Sequence, residues 1–208
     1  DSIREYICNF IMSKLETNQV DPATGTTLTL GTSGDTISIP SGVTIANSGT
    51  ATGFGGDNTP SFMAFLSSDQ TLSDNVYAKV QFNTEVYDTD SAYDNSSNYR
   101  FTVPSGEAGK YLVIYQLLMY DSNANLYGAR SALYKNGSLH QEALNEGGTS
   151  SATFYNDTQN VSVIVDLAVS DYLEVYGRGN TSDSGTFVVN GHSSARYSYF
   201  SAYKLIGV

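Results

Sequence analysis

The 208-residue chain has no tryptophan, a single cysteine, two histidines and four prolines, and only 15% of its residues are charged. Each scarcity excludes something. With Cys8 alone no intrachain disulfide can form, and one thiol assigns no redox compartment. No apolar run approaches the roughly eighteen residues of a membrane span, so helical insertion into a bilayer is not expected. Bases are outnumbered, 10 against 21 acids, for a formal net charge of −11. Such a surface repels phosphate backbones and argues against nucleic acid as a partner. The opening stretch DSIREYICNFIMSKLE lacks the basic, apolar, then small-residue layout of a secretory signal. Release by cell lysis, as for a virus particle, would need none.

Catalytic patterns are missing too. His140 and His192 stand outside any HExxH or other metal spacing and read as polar loop or strand residues. There is no G-x-S-x-G elbow. SGEAGKY at 105–111 has the wrong spacing for a phosphate loop, and Tyr111 stands where a Mg²⁺-holding Ser/Thr would be. Carboxylates are plentiful, but no pair is nominated by spacing as a glycosidase dyad. The chain is not expected to be an enzyme, and no cofactor is implied.

What is present divides into three segments. The length suits one ordinary domain plus an appendage, enough to bury a core without disulfides or metal. Residues 1–23 begin with a short amphipathic pattern: Ile3, Tyr6, Ile7, Phe10, Ile11 and Leu15 recur at helical spacing, and Ser2 with Glu5 fits a capping box. So short a helix needs partners, such as sister helices in a bundle. Equally, Met12 resembles a natural start, which would make residues 1–11 an upstream addition.

Residues 24–58 change character. Leu28/Leu30, Ile37/Ile39 and Val43/Ile45 alternate in pairs between Gly, Ser, Asp and Pro turns. A flexible linker is one reading. The alternation favours an ordered one, in which pairs too short to bury a face alone stack with copies of themselves. The stretch resembles the Thr/Gly/Ser-rich shaft segments near the start of phage tail-fibre and other virion proteins.

Residues 59–208 form a run of strands divided by turn signals every eight to twelve residues, the pattern of an all-β sandwich or jelly roll. Asn136-Gly137 after ALYK predicts a tight hairpin, because both residues accept positive φ. In VSVIVDLAV, Val161, Val163, Val165, Leu167 and Val169 share one face, with Ser162 and Asp166 on the other, a strand with one wet side. YLVIYQLLMY differs. Tyr111, Val113, Tyr115, Leu117 and Met119 line one face, and Leu112, Ile114, Leu118 and Tyr120 the other. The closing SARYSYFSAYKLIGV is similar, with Tyr197, Tyr199, Tyr203 and Leu205 opposite Phe200, Ala202 and Ile206. A sandwich strand has one face toward its own core, so a second apolar face asks for another subunit. Tyr111, Val113, Tyr115, Leu118, Tyr120, Tyr199, Phe200 and Tyr203 are therefore the candidate core or subunit-interface positions. Periodicity leaves open which face is which.

Phe82, Asp88, Tyr93, Phe101 and then GKYLVIY from Gly109 to Tyr115 resemble the signature of the complement C1q-type globular domain. LYKNG, DYLEVYG and the closing YFSAYKLIG follow in the same order, so the resemblance covers about residues 62–208. Val113 stands where that family commonly has Phe, and Ala202 where it commonly has Gly. The resemblance implies a ten-stranded jelly roll of the tumour-necrosis-factor-like type, assembled as a homotrimer around an aromatic-lined axis, and binding rather than catalysis. Ligands vary between members, so the fold does not name one.

One polar cluster invites a metal reading. YDTDSAYDNSSN carries Asp88, Asp90 and Asp94, alternate carboxylates of the kind that can hold Ca²⁺, although Tyr93 stands where an EF-hand needs Gly. Some members of the resembled family bind Ca²⁺; the alternative is a solvated acidic loop. Five sequons, at Asn95, Asn136, Asn156, Asn160 and Asn180, arise readily in so Asn/Ser/Thr-rich a chain. Sixteen tyrosines offer rigid faces with polar tips, suited to filling a sandwich and to contacting sugar rings. The expectation is a trimeric virion protein, a phage tail fibre or appendage. Its N-terminal region would meet other virion proteins, and its head a host-surface glycan or protein. The alternative is a secreted or cell-surface bacterial adhesion module.

Overall fold

A computed structural model describes residues 20, 22–48, 58–147 and 149–206. The chain divides into two units, Asp1–Ala51 and Thr52–Val208. The helix expected over 1–16 and the final Gly207-Val208 lie outside the described residues.

In the first unit, residues 22–48 carry bends and turns but no strand. Asp35 N–H closes on Thr32 O at 3.0 Å, while Asp35 Oδ2 accepts Thr32 N–H at 2.7 Å. Positive φ at Gly31, Gly34 and Gly42 shapes these reversals. Leu28, Leu30, Ile37, Ile39, Val43 and Ile45 are all exposed. The alternation read from the sequence is thus not paired into a ladder within one chain.

The second unit is all-β. Its strands are β1 (Ser61–Phe65), β2 (Gln70–Ser73), β3 (Ala78–Lys79), β4 (Thr84–Asp88), β5 (Tyr93–Asp94), β6 (Arg100–Thr102), β7 (Gly109–Tyr120), β8 (Leu126–Lys135), β9 (Ser138–Asn145), β10 (Asn156–Leu167), β11 (Tyr172–Thr181), β12 (Thr186–Val189) and β13 (Tyr199–Lys204). They form two antiparallel sheets of a jelly-roll sandwich. Each sheet is organised by one long strand. In the first, β7 pairs along its whole length with β10, while its other edge is shared by β13 and β12, which continue to β1–β4 and β2. In the second, β11 pairs with β8 and then β9, and its other edge takes β6 and β3, with β5 beyond β6. The β8–β9 turn is Asn136-Gly137, at φ 52° and 76°, as the dipeptide predicts.

Tyr111, Val113, Tyr115, Leu117 and Met119 of β7 point into the sandwich, with Phe200 and Ala202 of β13 and Val165 and Leu167 of β10. From the opposite sheet come Phe101, Leu133, Leu173 and Val175. Phe62 stacks between Tyr93 (centroids 4.7 Å apart) and Phe101 (5.1 Å) and meets Phe200 edge-on at 4.9 Å. Buried tyrosines need partners for their hydroxyls: Tyr93 donates to Phe82 O at 3.1 Å and Tyr111 to Glu107 O at 2.6 Å. Further along β11 the inward position 179 is a glycine, because a Cβ there would lie 2.6 Å from the Phe187 ring.

One buried polar bridge ties the sheets together. Gln159 of β10 accepts Ser131 N–H (2.9 Å) and Oγ–H (2.8 Å) at Oε1, and donates from Nε2 to Ala129 O at 2.7 Å. Replacing Gln159 by Met keeps the volume and leaves these β8 groups buried without partners. Such orphaning costs about 1–3 kcal/mol, so the urea midpoint of Gln159→Met falls; an unchanged midpoint would mean the bridge contributes nothing.

Candidate functional site

The two sheets present different outer faces. On the first, cross-strand registers build rows. Ile164, Leu112 and Tyr203 form one, Ser162, Ile114 and Ser201 the next, and Asn160, Gln116 and Tyr199 the third. Thr158 and Leu118 follow, and Tyr120 lies opposite Asn156. Ile164 is 59% exposed, whereas Leu112, Ile114 and Leu118 are half-buried. Asn160 Nδ2 donates to Gln116 Oε1 at 3.2 Å and to the Tyr199 hydroxyl at 3.1 Å, a polar row between apolar ones. Met63 and Tyr87 extend the face, with the Tyr87 ring 6.4 Å from that of Tyr203. At its far end Tyr120 stacks with the exposed Tyr155 at 6.0 Å above a recess of about 190 Å³, where Asn190 Oδ1 is buried without a protein partner.

The candidate interface positions therefore separate. Tyr111, Val113, Tyr115 and Phe200 are fully buried in their own sandwich and unavailable to a neighbour. Leu118, Tyr120, Tyr199 and Tyr203 lie on the outward face and stay available. The outer side of β10 also departs from the sequence reading, since Ile164 sits between Ser162 and Asp166 and joins the apolar row of Leu112.

Beside this face the sandwich ends in two edge strands. Both β9 and β10 pair on one side only, and Leu139 and Leu144 of β9 are 54% and 58% exposed. Lone exposed leucines are ordinary, but two on an unpaired edge offer a second patch beside the first.

The outer face of the second sheet is tyrosine- and charge-rich. Tyr134 packs 4.3 Å from Tyr176, Tyr77 lies 6.3 Å from Tyr134, and Arg178 covers Tyr77 at 5.5 Å. The buried Glu174 is paired with Lys79 at 2.6 Å and accepts the Tyr176 hydroxyl at 3.2 Å. Burial, followed by the Glu174 charge, pushes the Tyr176 hydroxyl up to about 12, so it stays a donor. Arg130 bridges Glu142 and Glu146.

The aspartate loop joins β4, β5 and β6. Asp94 accepts N–H from Ser97 (2.9 Å), Ser96 (3.0 Å) and Asn98 (3.0 Å), with the Asn98 amide adding a fourth donor at 2.7 Å. These donors hold its carboxyl well below the usual carboxylate range. Asp88 caps Asp90 N–H and Tyr93 N–H, and Asp90 accepts the Thr89 hydroxyl. The carboxylates are thus committed to their own backbone, and among the described residues no three of His, Cys, Asp and Glu converge to hold a metal. The Ca²⁺ reading of Asp88, Asp90 and Asp94 has no cage behind it. The same loop walls a cleft of about 350 Å³ with Arg100, Thr102 and Pro104 on its other side. Nothing in the spacing singled out Arg100, because its neighbours come from strand register. His192 accepts Ser194 and Ala195 N–H at Nδ1, a loop-capping role.

No protein-family model matches the chain, and no curated protein matches it. Among solved structures it is similar to murine APRIL at pH 5.0, with 14% identity, a TM-score of 0.49, and 70% of this chain and 99% of that one covered. It is similar to Eiger TNF from S. frugiperda, at 13% identity and TM-score 0.48 over 70% and 91% of the two chains. The globular domain of the zebrafish complement 1qA protein is similar at 10% identity and TM-score 0.47, over 71% and 98%. The jelly roll itself is defined by the strand order and registers above.

A polar node locks the floor of this end of the second sheet. Asp171 takes Asn136 Nδ2 at 2.7 Å, Lys135 Nζ at 2.9 Å and Ala168 N–H at 2.9 Å, which together lower its carboxyl from 3.8 to about 2. Asn136 in turn accepts Tyr172 N–H at 2.9 Å. A depressed carboxyl stabilises the fold above its unfolded pKa and loses that contribution as pH falls through the folded value. Stability should therefore drop between pH 3.8 and about 2, and Asp171→Asn should flatten that limb of a urea-midpoint-against-pH curve. An equally steep limb in the variant would place the loss elsewhere.

Proposed function

We propose that the second unit is a non-catalytic binding head that works as a homotrimer. The observation carrying this is the outward face of the first sheet. Leu112, Ile114, Leu118, Tyr203 and Ile164 bring apolar side chains, in rows interrupted by the polar row of Gln116, to the outward face of a sheet whose other face is already the core. A sheet of this kind is stable when the patch is covered. The adjoining edge, with Leu139 and Leu144, gives each copy a second apolar surface. Face against edge is a heterologous contact, which closes into a ring when the rotation between copies closes. Three copies agree with what the C1q-type resemblance implies.

The first unit fits the same arrangement. Its apolar pairs are exposed in one chain and would be covered by two sister chains. Such a segment, preceding the head in sequence, agrees with the resemblance of residues 24–58 to the shaft segments of virion proteins. The finer reading is accordingly a phage tail-fibre or appendage protein whose head meets a host surface, with three equivalent sites supplying avidity. Co-purification with intact particles supports that placement; a protein found only free or on a bacterial surface supports the adhesion-module alternative.

Assembly is read by light scattering after size exclusion. The expected mass is three chains, and Leu118→Asp or Ile164→Asp shifts it to one chain. A stable wild-type monomer at micromolar concentration would sink the trimer.

A further inference from the structure

We propose that the cleft beside Arg100 is a subsite for the carboxylate of an acidic sugar, such as a uronic-acid residue in a surface polysaccharide. The inference rests on reading the head as a recognition module and names the chemistry it recognises.

The guanidinium of Arg100 lies over the Tyr172 ring, 4.3 Å from its centroid. It makes no hydrogen bond or ion pair with any described residue. Arg196 is in a similar state over the Phe65 ring, and Lys110 and Arg178 also have no carboxylate among the described residues, so what sets Arg100 apart is its place in a cleft. Lys79, Arg130, Lys135 and Lys204 have each found a carboxylate. Arg100 even has one opposite it, since Asp94 is its cross-strand partner, but Asp94 has given its oxygens to the Ser96, Ser97 and Asn98 N–H groups. The outcome is a fork of N–H donors with no acceptor among the described residues, lying over the ring of a residue whose backbone N–H is tied to Asn136. A flat, pre-oriented fork matches a carboxylate bidentately.

The cleft supplies the rest of a sugar site. At about 350 Å³ it falls within the usual size range of small-molecule pockets, and Asp90, Ser91, Asn98 and Thr102 bring hydroxyl-matching groups to its walls. Ser91, on the cleft wall, takes φ of 52°, a conformation uncommon for such a residue. The charge balance selects the ligand further. One guanidinium in a cleft also lined by Asp90 and Asp94 suits a single negative charge surrounded by hydroxyls and disfavours a dianionic phosphate. The site lies at the β5–β6 edge of its sheet, at the opposite end of the strand order from β9. Assembly through the β9 edge leaves it open.

The test is an NMR titration of the full chain with four probes: the methyl glycosides of glucuronic and galacturonic acid, methyl glucoside, and acetate. At least one uronide should bind about tenfold more tightly than methyl glucoside and than acetate, which separates an acidic sugar from a bare carboxylate. Arg100→Ala should abolish the preference, and Arg100→Lys should lose most of it, because a point charge lacks the fork. Asp90→Asn removes a repelling charge without touching the fork, and should tighten the uronide by about twofold while leaving the glucoside unchanged. Equal binding of uronide and glucoside, no uronide binding, or binding indifferent to Arg100 overturns the proposal. Light scattering on the same samples separates the two readings. A trimer that binds no uronide sinks the subsite alone, and a monomer that binds one sinks the trimer alone.

Discussion

The strand β7 has apolar side chains on both faces, and most of the architecture follows from accommodating them. Its inward row of Tyr111, Val113, Tyr115, Leu117 and Met119 has no exposure at all. Burying residues of this size contributes roughly 1.5–3 kcal/mol each, enough to make this row the anchor of the sandwich. Three strands hydrogen-bond to β7 and share the same division between faces. Once the inward face is fixed, period-two alternation sends Leu112, Ile114 and Leu118 outward whatever the solvent prefers. Those residues cannot be core. Their apolar character therefore records a demand made outside the monomer.

Much of this was legible beforehand, and the limits have physical causes. The sandwich showed in short alternating runs between turn residues, and Asn136-Gly137 in its tolerance of positive φ. The signature aromatics Phe82, Tyr93, Phe101 and Tyr115 are core residues, brought by the β3–β4 connection and by β5, β6 and β7 to the region of Phe62 and Phe200. Which face of β7 looked inward was not legible, because hydropathy is nearly the same on both. The distinguishing marks were Lys110 and Gln116, the two polar residues of the outward row. The aspartate loop is ambiguous for a related reason. Carboxylates two to four residues from Ser and Asn look like cation ligands, yet that spacing also lets them cap backbone N–H groups, as Asp94 does.

Capping by Asp94 has an electrostatic consequence. Lys79, Arg130, Lys135 and Lys204 each pair with a carboxylate. Where a carboxylate is instead held by N–H dipoles of its own turn, the facing cation is released. Arg100 is in that position, and Tyr172 beneath it keeps the guanidinium oriented without neutralising it. Sequence reasoning had no means of finding this pair, because Arg100 and Tyr172 are 72 residues apart and adjoin only through the β6–β11 register.

The two exteriors of the sandwich thus carry different chemistry for different tasks. The first sheet turns Leu, Ile and Tyr outward in rows interrupted by a single hydrogen-bonded polar row at Gln116, Asn160 and Tyr199. Apolar area supplies the attraction in such a face, and the polar row fixes register, since an amide out of place would be buried without a partner. The second sheet keeps its tyrosines under charged groups, with Arg178 over Tyr77 and Arg100 over Tyr172. Rings covered in this way are poor at burying large areas and good at orienting a donor. Separating the two by the thickness of the sandwich keeps the outward apolar rows of the first sheet apart from the Arg100 cleft of the second. In the proposed trimer three identical clefts would turn a weak monovalent contact into a strong one to a surface that repeats the ligand.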